Sequence, residues 1–358
     1  MIDISSELTY CQMEADIGKV ASISWEEIEM KPKLFLRASA AALITASCCV
    51  AFSAFAGDKP KGLMLFSYLG DQAYVRQYNV AKGRGSKIED VQIDVKSGTS
   101  RGDVNFFIQE IVNAPAEGYK VIAVNTGATS KELVSALNDA TKQGIKVLSF
   151  DGAPPPIDDL TAQVNYDPVG AEKAVVQEFT KQLPAGGEIG VIRCIAGLAD
   201  TDAFINAFKD AVRDTKFNIV AEGDARCDPE KSRTIAEGML NAHPNLVGIY
   251  DIFDVSAQGT LQALEAAGSN VIVGSVGGQE YALKAIAAGN KNWKFTVPYP
   301  FEVIARTATD TTADLVRGKS VEKLVVVPAQ PVQTSENAGG MLKTVSDVVA
   351  GNVDDVVK

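Results

Sequence analysis

The sequence predicts an α/β protein made of two doubly wound parallel-sheet lobes joined by three crossing segments. Three observations carry that expectation. Short apolar runs alternate with amphipathic helical stretches from Lys61 onward, the alternation restarts at Pro168, and an apolar leader ends just before the first run. Buried parallel strands read as continuous apolar segments, and a regular strand–helix alternation builds right-handed βαβ units.

The leader spans residues 30–56. Lys31, Lys33 and Arg37 precede an uncharged apolar run from Ala38 to Phe52, and Ala54-Phe55-Ala56 supplies the small-x-small cleavage pattern before Gly57. The run is short of the roughly 20 apolar residues that a membrane span needs. It is read as a signal peptide, so the working protein is residues 57–358, exported to the periplasm. A signal anchor and a lipoprotein attached at Cys48 are the competing readings; Thr45 stands where a lipoprotein has a Leu-like residue. Residues 1–29 carry seven acids against one base, Lys19. An acidic stretch ahead of a signal peptide reads as an over-extended gene start, outside the fold.

The first series runs as strands at 62–66, 91–95, 121–124 and 146–150, with helices at 71–82, 103–112 and 130–143 between them. Ser130 is a plausible N-cap and Gly144 a stop signal. In the second series helices fall at 168–182, 203–212, 229–241, 256–267 and 280–288. Strands fall at 188–192, 217–222, 248–250, 271–274 and 293–297. Pro229 sits at a helix's favoured first turn. A helix at 302–317 and a strand at 324–327 close the series. Crossings are placed near 165–168, 297–300 and 327–330. One lobe then holds residues 57–165 with 299–326, and the other 166–298 with 327–358. Ligands of such sheets bind beyond the carboxyl ends of the strands, so two facing lobes can trap one between them.

Composition removes several classes. The chain has 34 basic and 45 acidic residues, a net charge of −11, which argues against nucleic acid as a partner. His243 is the only histidine, so a multi-histidine zinc site is excluded and no Ser-His-Asp or Cys-His site is indicated. No phosphate-binding G-x-x-x-x-G-K-[ST] or strand-linked G-x-G-x-x-G occurs; Gly83-Arg84-Gly85 reads as a turn after a helix. Arg101-Gly102-Asp103 is a tripeptide that chance alone supplies. No cofactor or metal is expected. Cys194 and Cys227 alone follow the leader, an even number in an oxidising compartment, which suggests a disulfide; two buried thiols are the alternative.

Several segments carry a family likeness. Ala140 to Asp151 (ATKQGIKVLSFD) is similar to a passage written A..aGIpVv..D, and Asp228-Pro229-Glu230-Lys231 with Asn241-Ala242-His243-Pro244 to a helix and Asn-x-x-Pro turn. Gln258 to Gly268 (QGTLQALEAAG) resembles lGAlqAlkaaG, and Ala282 to Gly289 resembles al.aIk.G. In order and spacing these resemble the type I periplasmic sugar-binding proteins of ABC transporters, the ribose-, galactose- and xylose-binding kind. The resemblance covers nearly all of residues 61–340. It implies a periplasmic binding protein type I fold and a small sugar or polyol held between the lobes. It also implies delivery to a membrane permease by hinge closure, and no catalysis. A monomer is expected.

A sugar offers C–H faces to aromatic rings and hydroxyls to carboxylates and amides. Phe66 and Tyr68 follow the first strand as candidate stacking faces, with core packing the other reading for Phe66. The resemblance makes Asp151, in Phe150-Asp151-Gly152, the hydroxyl-binding carboxylate; an ordinary turn aspartate is the alternative. Asp254 replaces the Asp of a family ND motif and is expected to cap its helix. Phe253 stands at the sugar-touching Asn and offers a second stacking face. Departures are several. Residues 202–206 lack the family Arg, Val276 replaces an Asp, and Tyr299 falls where a Gln is usual. Gln279, Asn206, Arg193 and Arg226 are candidate replacements. These losses suggest an unusual sugar, a polyol or a flatter nucleobase derivative. Two further readings stay open: a binding protein that presents a signal molecule to a sensor, and an exported glycosidase using Asp158 and Asp159.

Overall fold

A computed structural model describes residues 58–100, 103–125 and 130–358. The expected gene start, signal peptide, cleavage site and Cys48 lie outside these residues, as do Arg101 and Gly102.

Alternating apolar runs and capped helices give the first sheet. Its strands are β1 (Lys61–Phe66), β2 (Gln92–Ser97), β3 (Tyr119–Asn125), β4 (Lys146–Phe150), β5 (Ala162–Tyr166) and, from far along the chain, β11 (Leu324–Val327). They pair in the order β11-β5-β4-β3-β1-β2, all parallel. Helices α1 (Gln72–Ser86), α2 (Val104–Asn113), α3 (Lys131–Lys142) and α9 (Phe301–Val316) cover it. The apolar runs are buried on both faces. Leu63, Leu65, Ile122, Val124 and Val147 pack on Phe107, Ile111, Leu133 and Leu137 of α2 and α3. Met64, Val121, Ala123 and Leu148 face Ile304 and Ala308 of α9.

The second sheet pairs β10 (Trp293–Pro298), β9 (Ile272–Gly277), β8 (Leu246–Asp251), β6 (Gly187–Arg193) and β7 (Phe217–Asp224) in that order, also parallel. On it lie α4 (Pro168–Gln182), α5 (Ala199–Val212), α6 (Pro229–Ala242), α7 (Asp254–Ala266), α8 (Glu280–Ala287) and α10 (Ala338–Val349). Asp167 and Asp228 cap α4 and α6 through Gly170 N and Lys231 N, each followed by proline at the first turn. The chain passes between sheets after β5, after β10 and after β11.

Two elements are absent from the sequence reading. β5 alternates buried and half-buried residues, with Gln163 and Asn165 on the more open face, so it lacks a continuous apolar run. α10 carries Gly339-Gly340 in its first turn, both weak helix formers; tertiary packing of Ala338 and Val345 in the second-sheet core holds it. One expectation is corrected. Gly83-Arg84-Gly85 is no turn but the last stretch of α1, with Arg84 paired to Asp310 at 2.7 Å. A Cβ on Gly83 would meet Val353 at 2.3 Å, so the glycine admits the C-terminal tail against the helix. That tail places Val357 with Val80 of α1 and Ala305 of α9, and Arg84 and Arg306 donate to the carbonyls of Val357 and Val356.

Candidate ligand-binding cleft

The carboxyl ends of the two sets of strands face one another. Ala153 N, just after β4, donates to Asp200 Oδ2 on the first turn of α5 at 2.9 Å, and Gln72 of α1 exchanges two hydrogen bonds with Glu280 of α8 at 3.0 and 2.9 Å.

Asp151 follows β4 with φ 56°, in the left-handed backbone region. Its carboxylate accepts Gln77 Nε2 at 2.6 Å and Asn125 Nδ2 at 3.0 Å, and the Tyr299 hydroxyl donates to it. Gln77 comes from α1, Asn125 from the end of β3, and Tyr299 from the crossing after β10. Four elements thus converge on one carboxylate. Burial holds its pKa above the usual carboxylate range, against the three hydrogen bonds, with Asp200 nearby adding to the rise. Burial also lifts the Tyr299 phenol well above its ordinary value, so the phenol keeps its proton to donate.

Beside this group runs a chain of rings. Tyr166 lies 4.3 Å from Tyr299 and 5.3 Å from Phe204, Tyr299 stacks on Phe301 at 4.7 Å, and Phe204 meets Phe253 edge-on at 5.4 Å. Such offset and edge arrangements suit the ring quadrupole.

Asp151 and Tyr299 are brought into direct contact, and Phe253 joins them through Phe204. Phe66 is fully buried, edge-on to Phe150 at 5.1 Å and to Tyr78 at 5.8 Å. Tyr68 is half-buried, 5.8 Å from Tyr74 at the end of β1. Gln279 is buried at the start of α8; its Oε1 has no hydrogen-bond partner among the described residues. Asp254 does not cap its helix. The N-cap position is Phe253, and the buried Asp254 carboxylate instead accepts Ser275 Oγ at 2.6 Å, Thr296 Oγ1 at 2.8 Å and Gln279 N at 2.8 Å. It ties β9, β10 and α8 together, because its place inside the first turn points it at those strand ends rather than at free helix amides.

Of the candidate replacements, Arg193 pairs with Asp202, Arg226 is exposed with φ 54°, and Asn206 is exposed. Asp158 and Asp159 lie side by side on the exposed surface. Cys194 and Cys227 are joined as a disulfide, Cα atoms 4.5 Å apart, linking the ends of β6 and β7. Sequence reasoning missed Gln77, Asn125, Asp200, Tyr166 and Phe204. Asn125 could have been found, since it ends an apolar strand much as Asp151 directly follows one. Gln77 sits mid-helix and carries no local signal.

Two parallel α/β lobes, meeting at their strand ends around a carboxylate, amides and aromatic faces, define a two-lobed cleft-binding scaffold. The chain belongs to the periplasmic binding protein family, whose domain profile matches residues 64–320. It is similar to the ribose import binding protein RbsB of Bacillus subtilis (strain 168), at 26% identity over 250 residues covering 69% of this chain and 77% of that one. The D-ribose/D-allose-binding protein of Pseudomonas aeruginosa is 25% identical over 220 residues, 59% of this chain and 68% of that one. Among solved structures, an ABC transporter solute binding protein from Bacillus halodurans C-125 with bound myo-inositol shares the fold. Its TM-score is 0.69 at 20% identity, over 80% of this chain and 98% of that chain.

Proposed function

We propose that this protein captures a small sugar or polyol between its lobes and hands it to an ABC transporter permease, working as a monomer in the periplasm. The lobes are residues 57–165 with 299–326 and residues 166–298 with 327–358, closing about the three crossings. It binds and releases without chemistry. The observation that carries the reading is the Asp151 carboxylate, held between Gln77, Asn125 and Tyr299 where the strand ends of the two sheets meet. A carboxylate with amide and phenol neighbours is suited to exchange those partners for ligand hydroxyls. The neighbouring rings Tyr166, Phe204, Tyr299 and Phe253 would cover a ligand's C–H faces. The same ring density favours a second reading, a flat nucleobase or nucleoside ligand.

Thermal unfolding of residues 57–358 against pentoses, hexoses, polyols and nucleosides tests it. A compound at 100 times its dissociation constant stabilises by about 2.7 kcal/mol. A shift with a sugar or polyol supports the reading. A shift with nucleosides alone moves it to the second, and turnover of a glycoside overturns both.

A further inference from the structure

Arg76 is fully buried one residue before Gln77 on α1. Its Nε and Nη2 take both oxygens of Glu302 at 2.6 and 2.9 Å, within the first lobe. Its Nη1 reaches across to the second, donating to Gly278 O in the β9–α8 turn at 3.0 Å. The guanidinium also lies 4.9 Å over the Phe301 ring, which stacks on Tyr299, whose hydroxyl meets Asp151. Gly278, with φ 68°, is fixed in turn: its N donates to Thr296 Oγ1 at 3.3 Å, and the next residue's N donates to Asp254.

We propose that Arg76 is a positioning residue for ligand binding. It locks the Gly277–Gln279 turn of the second lobe onto the helix and ring stack that aim Gln77 and Tyr299 at Asp151. Burying a guanidinium is costly unless it is paired and its donors are used. Glu302 alone satisfies the charge, so the third arm serves the contact between lobes. A planar fork does this through three separate nitrogens, whereas the three donors of an ammonium share one nitrogen and do not reach both Glu302 and Gly278. This proposal rests on the cleft reading above for its effect on affinity, and on geometry alone for its effect on the turn.

The test uses Arg76→Lys and the double variant Arg76→Met with Glu302→Gln, which leaves no uncompensated buried charge. Amide hydrogen exchange of residues 278–280, solution scattering of the unliganded protein, and calorimetric titration with D-ribose and with myo-inositol are compared with wild type. In the double variant we expect exchange at 278–280 to speed about tenfold, a larger radius of gyration, and roughly tenfold weaker binding of whichever probe the wild type takes. Arg76→Lys, which keeps the pair with Glu302, should also lose the turn's protection. Wild-type exchange at 278–280 in both variants overturns the proposal, as does faster exchange spread evenly over the whole first lobe. A wild type that binds neither probe counts against those two ligands and not against Arg76, whose role the exchange and scattering measurements still decide.

Discussion

Replacing Asp251 by asparagine should remove a pH dependence of stability that can be worked from the structure. Asp251 ends β8, fully buried, and its carboxylate accepts Ser232 Oγ at 2.6 Å, Thr260 Oγ1 at 2.7 Å and Ser256 Oγ. No cation stands among these partners. Burial raises its pKa from 3.8 to about 6 against the pull of the three hydroxyls. The folded protein therefore binds this proton more tightly than the unfolded chain does. The group's contribution is fully present below pH 3.8 and is lost as pH rises through 6. At about 1.4 kcal/mol per pKa unit the loss is about 3 kcal/mol. Asparagine keeps the shape, accepts two hydroxyls through its oxygen and donates to a third, and does not titrate. Urea unfolding of both proteins at pH 4 and pH 8 measures the effect. Wild type should lose about 2.5 kcal/mol more than Asp251→Asn across that interval, since the unfolded carboxyl is already partly ionised at pH 4. Parallel stabilities, within about 0.5 kcal/mol, would refute the premise that burial outweighs the hydroxyls at this site.

Three further outcomes follow from the same structure. Asp151→Ala should abolish ligand binding and leave a cooperative unfolding transition, read by titration calorimetry and circular dichroism; retained affinity would remove Asp151 from the site. Reducing Cys194–Cys227, or replacing both by serine, frees a loop with a sequence separation of 33. It should cost about 3–4 kcal/mol by loop entropy, measured as a lower urea midpoint. Gly259→Ala should cost about 3 kcal/mol, seen as a fall in the midpoint of thermal unfolding. A Cβ there would lie 1.7 Å from Pro229 O and 2.9 Å from Arg233 N, pushing α7 off α6.

Strands such as β1 and β4 were legible because a strand buried on both faces must be apolar throughout, and Leu63 to Phe66 all meet core. β5 escaped because its Gln163 and Asn165 serve neighbouring loops, Gln163 donating to Gly152 O and Asn165 accepting Gly152 N. Position rules put Asp151 just past a recognisable strand, and it follows β4 directly. They failed for Asp254, whose partners Ser275 and Thr296 come from strands 21 and 42 residues onward. Gly83 and Gly85 show the same limit from the other side: their weak helix propensity is outweighed by the tail and by Ile93, which pack where their side chains would be.

The sequence by itself determined the architecture, two parallel sheets with three passages between them, because periodicity and capping are local and repeat along the chain. Only the tertiary structure decided which polar groups meet. Gln77, Asn125, Asp151 and Tyr299 stand on four elements up to 222 residues apart in sequence, and their contact depends on how two sheets pack. No local pattern encodes that distance.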